Sequence, residues 1–162
     1  MLPKKHFKVL KKLATGLDHD GVNWVVTGST SFCLQGVPVS PNDIDIQTDE
    51  SGAYEFEALF EGYVVKPVEF SATEKIKSHF GQFRIDGLQV EVMGAVQKFY
   101  DGKWEEPIDI DRYRKSVKFR GVEIPVLKLS YEAKAYRRFG RIETAKKLET
   151  YAKKERRRRG SQ

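Results

Sequence analysis

Residues 25–47, VVTGSTSFCLQGVPVSPNDIDIQ, hold two unlike patterns joined by a loop. The run from Asn23 to Thr27 is apolar and β-branched, reads as a short strand, and stops at Gly28. Ser29 to Gln35 starts a short helix, because Ser29 or Thr30 can accept from the free amides of a first helical turn. Gly36 and the Pro38 to Pro41 segment then force a loop. Asp43-Ile44-Asp45-Ile46-Gln47 alternates polar and apolar, so on a strand both aspartates point to one face, about 7 Å apart at the backbone.

Two carboxylates on one strand face repel unless a cation or protons lie between them. The pattern therefore makes sense as a divalent metal site, and oxygen-only ligands favour Mg²⁺ or Mn²⁺ over zinc. Upstream, Gly28 lets backbone amides approach an anionic group, and Ser29 adds a hydroxyl where a helix begins, the place that favours phosphate. A phosphate cradle beside a metal-binding aspartate pair brings together what phosphoryl or nucleotidyl transfer needs. Thr30 and Ser31 fit equally as helix-capping groups and as nucleotide ligands.

Working outward, Phe7, Leu10, Leu13, Ala14 and Leu17 recur at three- and four-residue intervals and predict an amphipathic helix from Lys4 to about His19. Gly52 to Phe60 reads as a helix, Tyr63 to Val68 as a strand, and Phe80 to Met93 as two strands turning at Asp86-Gly87. A loop rich in Asp and Pro follows. Ser116 to Leu127 resembles a strand pair around Arg120-Gly121, and Ser130 to Phe139 and Ile142 to Lys154 read as helices broken at Gly140. The fold class is α/β (α+β), a mixed sheet flanked by helices with a C-terminal helical pair. One unit is expected over residues 1–152, its C-terminal helices starting near 130, followed by a basic, frayed tail over 153–162.

At these residues the chain resembles the nucleotidyltransferase superfamily of DNA polymerase beta, poly(A) polymerases and the aminoglycoside and lincosamide nucleotidyltransferases. The shared signature is an apolar strand, Gly-Ser, a gap, and Asp-apolar-Asp, and here thirteen residues separate Ser29 from Asp43. The C-terminal segment from Ile124 to Glu149 is similar to that of small lincosamide-type domains, which widens the resemblance to about Trp24 through Leu148.

The resemblance implies that Asp43 and Asp45 bind metal and that a third carboxylate on a later strand completes the site or acts as base. Glu91, a polar position in the apolar strand LQVEVMG, fits that place. Asp86 is the fallback, although beside Gly87 it reads better as a turn residue. Lys128 or Lys134 is implied to reach a triphosphate, with the choice left open. Tyr131, Tyr136 and Phe139 share helical spacing and read as core before stacking platform.

The formal net charge of +6 suggests nucleic acid until it is located: Lys153, Lys154 and Arg156 through Arg159 alone supply six positive charges. Such a run is usually a solvated helix end with weak, nonspecific affinity for RNA or acidic partners. No stretch approaches the roughly 20 apolar residues of a membrane span. The N-terminal lysines interrupt any signal-like apolar run, and a single cysteine, Cys33, forms no internal disulfide; a cytoplasmic protein is expected. His6, His19 and His79 lack metal-ligand spacing.

The expected function is Mg²⁺-dependent transfer of a nucleoside monophosphate, with ATP or another nucleoside triphosphate as donor, to a hydroxyl of a small molecule, protein or RNA end. The competing expectation is a noncatalytic nucleotide-binding module of toxin-antitoxin type acting through a partner.

Overall fold

The computed structural model describes residues 1–160. In chain order the elements are α1 (Lys4–His19), β1 (Trp24–Thr27), α2 (Gly28–Leu34), β2 (Ile44–Thr48), α3 (Glu50–Leu59), β3 (Val64–Ala72), β4 (Ile76–Ile85), β5 (Leu88–Tyr100), β6 (Lys103–Trp104), α4 (Ile110–Tyr113), β7 (Arg114–Phe119), β8 (Val122–Leu127), α5 (Leu129–Arg138) and α6 (Ile142–Gly160). The sheet runs β3-β4-β5-β2-β1-β8-β7, with β6 paired to β5. It is mixed: β2 lies parallel to β5 and β1 parallel to β8, while the other pairs are antiparallel.

Period-two alternation assigns the two faces. Ile44, Ile46, Val90, Val92, Val26 and Ile124 turn to one side, where Leu10, Leu13 and Leu17 of α1 and Phe56 of α3 complete the main core. Asp49 caps α3, its Oδ1 accepting from the Gly52 amide at 2.7 Å. On the opposite side α2, α5 and α6 share a smaller core of Phe32, Val37, Leu129, Ala133, Leu148 and Ala152. The C-terminal helical pair expected from sequence is α5 and α6, broken at Gly140, φ +81. The basic run beginning at Lys153 continues α6 as far as Gly160; residues 161–162 lie outside the described part. No helix among the described residues is long and apolar enough to cross a membrane.

Three turns carry positive φ at both central residues: Asp86-Gly87, Asp101-Gly102 and Arg120-Gly121. That backbone matches the twist of a two-residue hairpin, and it explains the two turns expected from sequence. Asp86 is a turn residue, and its carboxylate pairs with Lys12 at 3.1 Å.

The strand after the first hairpin runs beyond Met93 to Tyr100, and its pairing slips midway. Lys77 pairs Gln97 but His79 pairs Gly94, which inserts one extra residue into β5, and Ala95 adopts φ +54 there. This bulge moves Val96 and Lys98 from the face of Val90 and Val92 to the face of Glu91 and Met93. Their place in the lining of the cavity described below follows from it.

Candidate active site

Asp45 lies opposite Thr27 across the antiparallel β1/β2 pair and opposite Glu91 across the parallel β2/β5 pair. Since Ile44, Ile46, Val90 and Val92 face the main core, Asp45 and Glu91 project from the other face, side by side. Gly28 follows β1 directly and has φ +75. The conformation favours glycine, and a Cβ placed on it would stand 2.7 Å from Asp45 Oδ2, so any side chain here would push the Asp45 carboxylate aside.

Asp43 immediately precedes β2, and its segment is pinned from three directions. His6 Nε2 donates to the Asn42 carbonyl at 2.7 Å, the Asn42 amide donates to Ser29 Oγ at 3.2 Å, and Thr30 Oγ1 donates to the Asp43 carbonyl at 2.9 Å. Thr30 and Ser31 are fully buried, and Ser31 Oγ accepts from Gln35 Nε2 at 3.0 Å. Those two hydroxyls hold the protein to itself. Lys128 is exposed at the start of α5 and lines a separate hollow with Lys115 and Ser130, away from Gly28 and Asp45.

Burial first, then Glu91 and Asp43, pushes the Asp45 carboxyl from 3.8 up to about 7. Among the described residues no ion pair involves Asp43, Asp45 or Glu91. An acidic cluster with no protein cation is the donor set a hard divalent ion would satisfy. No three His, Cys, Asp or Glu groups among the described residues stand as a ready-made cage. Glu91 Oε1 accepts from Gln89 Nε2 at 2.7 Å.

A cavity of about 270 Å³ opens beside Gly28 and Asp45, with Ile76, Met93, Val96 and Phe139 supplying apolar wall and Glu132, Lys98 and Arg141 supplying further charge. None of these three charged residues was expected at the site from the sequence. Glu132 is buried; its Oε1 accepts from the Thr27 hydroxyl and from the Gly28 amide at 3.2 Å, while Oε2 has no partner among the described residues. Burial pushes its carboxyl from 4.5 up to about 8, against the lowering influence of Thr27, Gly28 and Lys98. The amide expected to face a phosphate is thus already engaged. A signal did exist: with Leu129, Ala133 and Tyr136, Glu132 falls on the i, i+3, i+4, i+7 stripe, an acidic residue in a core position.

The model of the family described as aminoglycoside-2''-adenylyltransferase matches residues 9–153. The crystal structure of a candidate nucleotidyltransferase from Thermotoga maritima is 51% identical, covering 95% of this chain and 96% of that one, with a TM-score of 0.83. The lincosamide antibiotic adenylyltransferase LnuA, lincomycin-bound, superposes with a TM-score of 0.59 at 11% identity, over 93% of this chain and 98% of that one. ANT(2'')-Ia in complex with adenylyl-2''-tobramycin gives 0.57 at 13% identity, over 96% and 99% of the two chains. At such low identity these two show a shared fold. No curated protein sequence matches.

Proposed function

Since the chain belongs to the aminoglycoside-2''-adenylyltransferase family, and so to the nucleotidyltransferases, we propose that it transfers a nucleoside monophosphate from a nucleoside triphosphate, ATP first among them, to a hydroxyl of a small acceptor. The observation that carries this reading is Asp45, paired in register with Glu91, felt electrostatically by Asp43 and set against the Gly28 turn, with no ion pair to any of the three carboxylates among the described residues. Asp43, Asp45 and Glu91 would hold Mg²⁺ or Mn²⁺. When bound, that ion neutralises charge on the triphosphate and polarises the phosphoryl group under attack.

The chain's own residues do the rest. Gly28 keeps its surface bare, so an anionic group can approach the aspartates without meeting a side chain. Ser29 and Thr30 hold the Asp43 segment in register with the turn, a positioning role set by their bonds to Asn42 and Asp43. Glu91 is the base in reach of an acceptor hydroxyl on the same face. Glu132 fixes the backbone at Thr27 and Gly28. The apolar wall of Met93, Val96 and Phe139 offers a flat seat for a base or sugar face.

The volume favours a small molecule over a polymer end. The antibiotic adenylyltransferases that share the fold support a hydroxyl-bearing small molecule as the acceptor class.

Incubation with α-³²P-labelled nucleoside triphosphates, Mg²⁺ and a cell extract tests the proposal. A labelled product that disappears with Asp43→Ala plus Asp45→Ala is expected. Saturable nucleotide binding with no product from any donor would instead favour a noncatalytic binding module. Labelling untouched by the double substitution would defeat the assignment.

A further inference from the structure

Lys98 is buried, yet among the described residues no carboxylate stands within ion-pairing distance of its ammonium. Among the described residues it donates to the Tyr131 hydroxyl at 3.0 Å, and the same ring lies beneath it, 4.7 Å from Nζ to centroid. An ammonium has three donors, and a buried charge is normally paired. Packing does not explain a lysine here, because the Ala95 bulge has turned this position out of the core and into the cleft.

Lys98 and Tyr131 line two cavities at once: the one beside Asp45, and a second of about 230 Å³ between β5, α4 and α5. The second cavity carries Lys98, Lys134 and Arg138 against one carboxylate, Glu105, which Arg138 already occupies at 2.9 Å. The Tyr100 hydroxyl in its wall is buried and has no hydrogen-bond partner among the described residues. Surplus positive charge, an unpaired buried ammonium and an unused phenol donor describe a receptor for a negatively charged oxygen group.

We propose that Lys98 is the central cation of an oxyanion subsite at the junction of these two cavities, taking a phosphate or carboxylate carried by a substrate. The chemistry has two sources: the polyphosphate of the nucleotide, or an acidic group on the acceptor. The subsite itself stands on the geometry; only its assignment to a substrate rests on the nucleotidyl-transfer reading. Lys134 and Arg138 enlarge the positive field, and Tyr100 offers the additional hydrogen bond.

Inorganic phosphate is the probe, titrated by calorimetry and thermal shift into the full chain at physiological ionic strength, without nucleotide or metal. Phosphate should raise the melting temperature of the wild type, and Lys98→Met should weaken its binding at least about tenfold, the scale of a lost charged hydrogen bond. Lys118→Met, removing an exposed strand lysine, should leave binding unchanged. Without ligand, Lys98→Met should melt no lower than the wild type, because methionine fills the space without a charge to bury. A melting temperature that drops together with phosphate binding retained at wild-type strength would overturn the proposal and leave Lys98 a packing element.

Repeating the titration with ATP present assigns the source. Competition identifies the nucleotide's phosphates, and simultaneous binding identifies an acidic acceptor. Phosphate binding lost in Lys98→Met stands even if no transfer activity is ever found, so the two readings fail separately.

Discussion

Replacing Glu132 with Gln changes a charge while conserving shape. The folded protein holds this carboxyl up to about 8 against 4.5 for a free side chain. The native state therefore keeps a proton that the unfolded chain releases, and stability falls as pH rises from 4.5 to about 8, the loss being complete above that. At about 1.4 kcal/mol per unit the gap sets a ceiling of about 5 kcal/mol. Relaxation and water entry reduce this, and about 2 kcal/mol is the expected size.

Glutamine retains the oxygen that accepts from Thr27 and Gly28. Its NH₂ replaces an acid O–H in the same unpartnered place, so the two proteins should match near pH 5. Burial holds the Lys98 ammonium below its usual range, and the Glu132 carboxylate works against that, so the difference between the two proteins includes the Glu132–Lys98 interaction. Urea unfolding at both pH values is the assay. Near pH 9 Glu132→Gln should be the more stable protein by about 2 kcal/mol. A variant equally destabilised at pH 5 and pH 9 would show that ionisation is not strained here and refute the reasoning.

Gly28→Ala should be destabilised by about 1–2 kcal/mol through its positive φ and should also lose activity, because the new methyl meets Asp45 Oδ2 at 2.7 Å. Gly21→Ala, at φ +67 with nothing within 4 Å, should incur the backbone cost alone and keep its turnover, so equal activity in both would contradict the close-approach argument. Glu91→Gln should fold normally by circular dichroism and lose at least about 100-fold in kcat if the residue serves as base; an unchanged kcat removes that role. Gly94→Ala places a methyl 2.7 Å from the Asp49 carbonyl oxygen and 2.8 Å from Ala53 Cβ. It should lower unfolding free energy by about 1–3 kcal/mol, which chemical denaturation would detect.

The strand, glycine turn and aspartate strand around Gly28 and Asp45 were legible because each is dictated locally: β-branched run, positive φ, period-two alternation. The hairpins at Asp86-Gly87 and Arg120-Gly121 were legible for the same reason. What escaped depends on pairing between distant residues. Lys98 follows Val90 and Val92 at even spacing and belongs to the core side until the register slip at Ala95 reverses it, and no local pattern announces that slip. Glu132 reaches the turn only because α5 packs over β1, a contact across 105 residues. The segment after Tyr100, read as a loop, contains β6 and α4, too short for periodicity to reveal. Tyr131 packs, as expected, against a small core of Val25, Ile110 and Leu127, and it lines both cavities as well.

The central claim is that Asp43, Asp45 and Glu91 act together on one divalent ion and its nucleotide. Titrating Mn²⁺ into the protein in the presence of a nonhydrolysable ATP analogue, with free Mn²⁺ read by electron paramagnetic resonance, measures this directly. The account requires saturable Mn²⁺ sites that depend on the nucleotide and vanish in the variant combining Asp43→Asn and Asp45→Asn, while its circular dichroism stays native. Equal Mn²⁺ uptake by the wild type and that variant would contradict it.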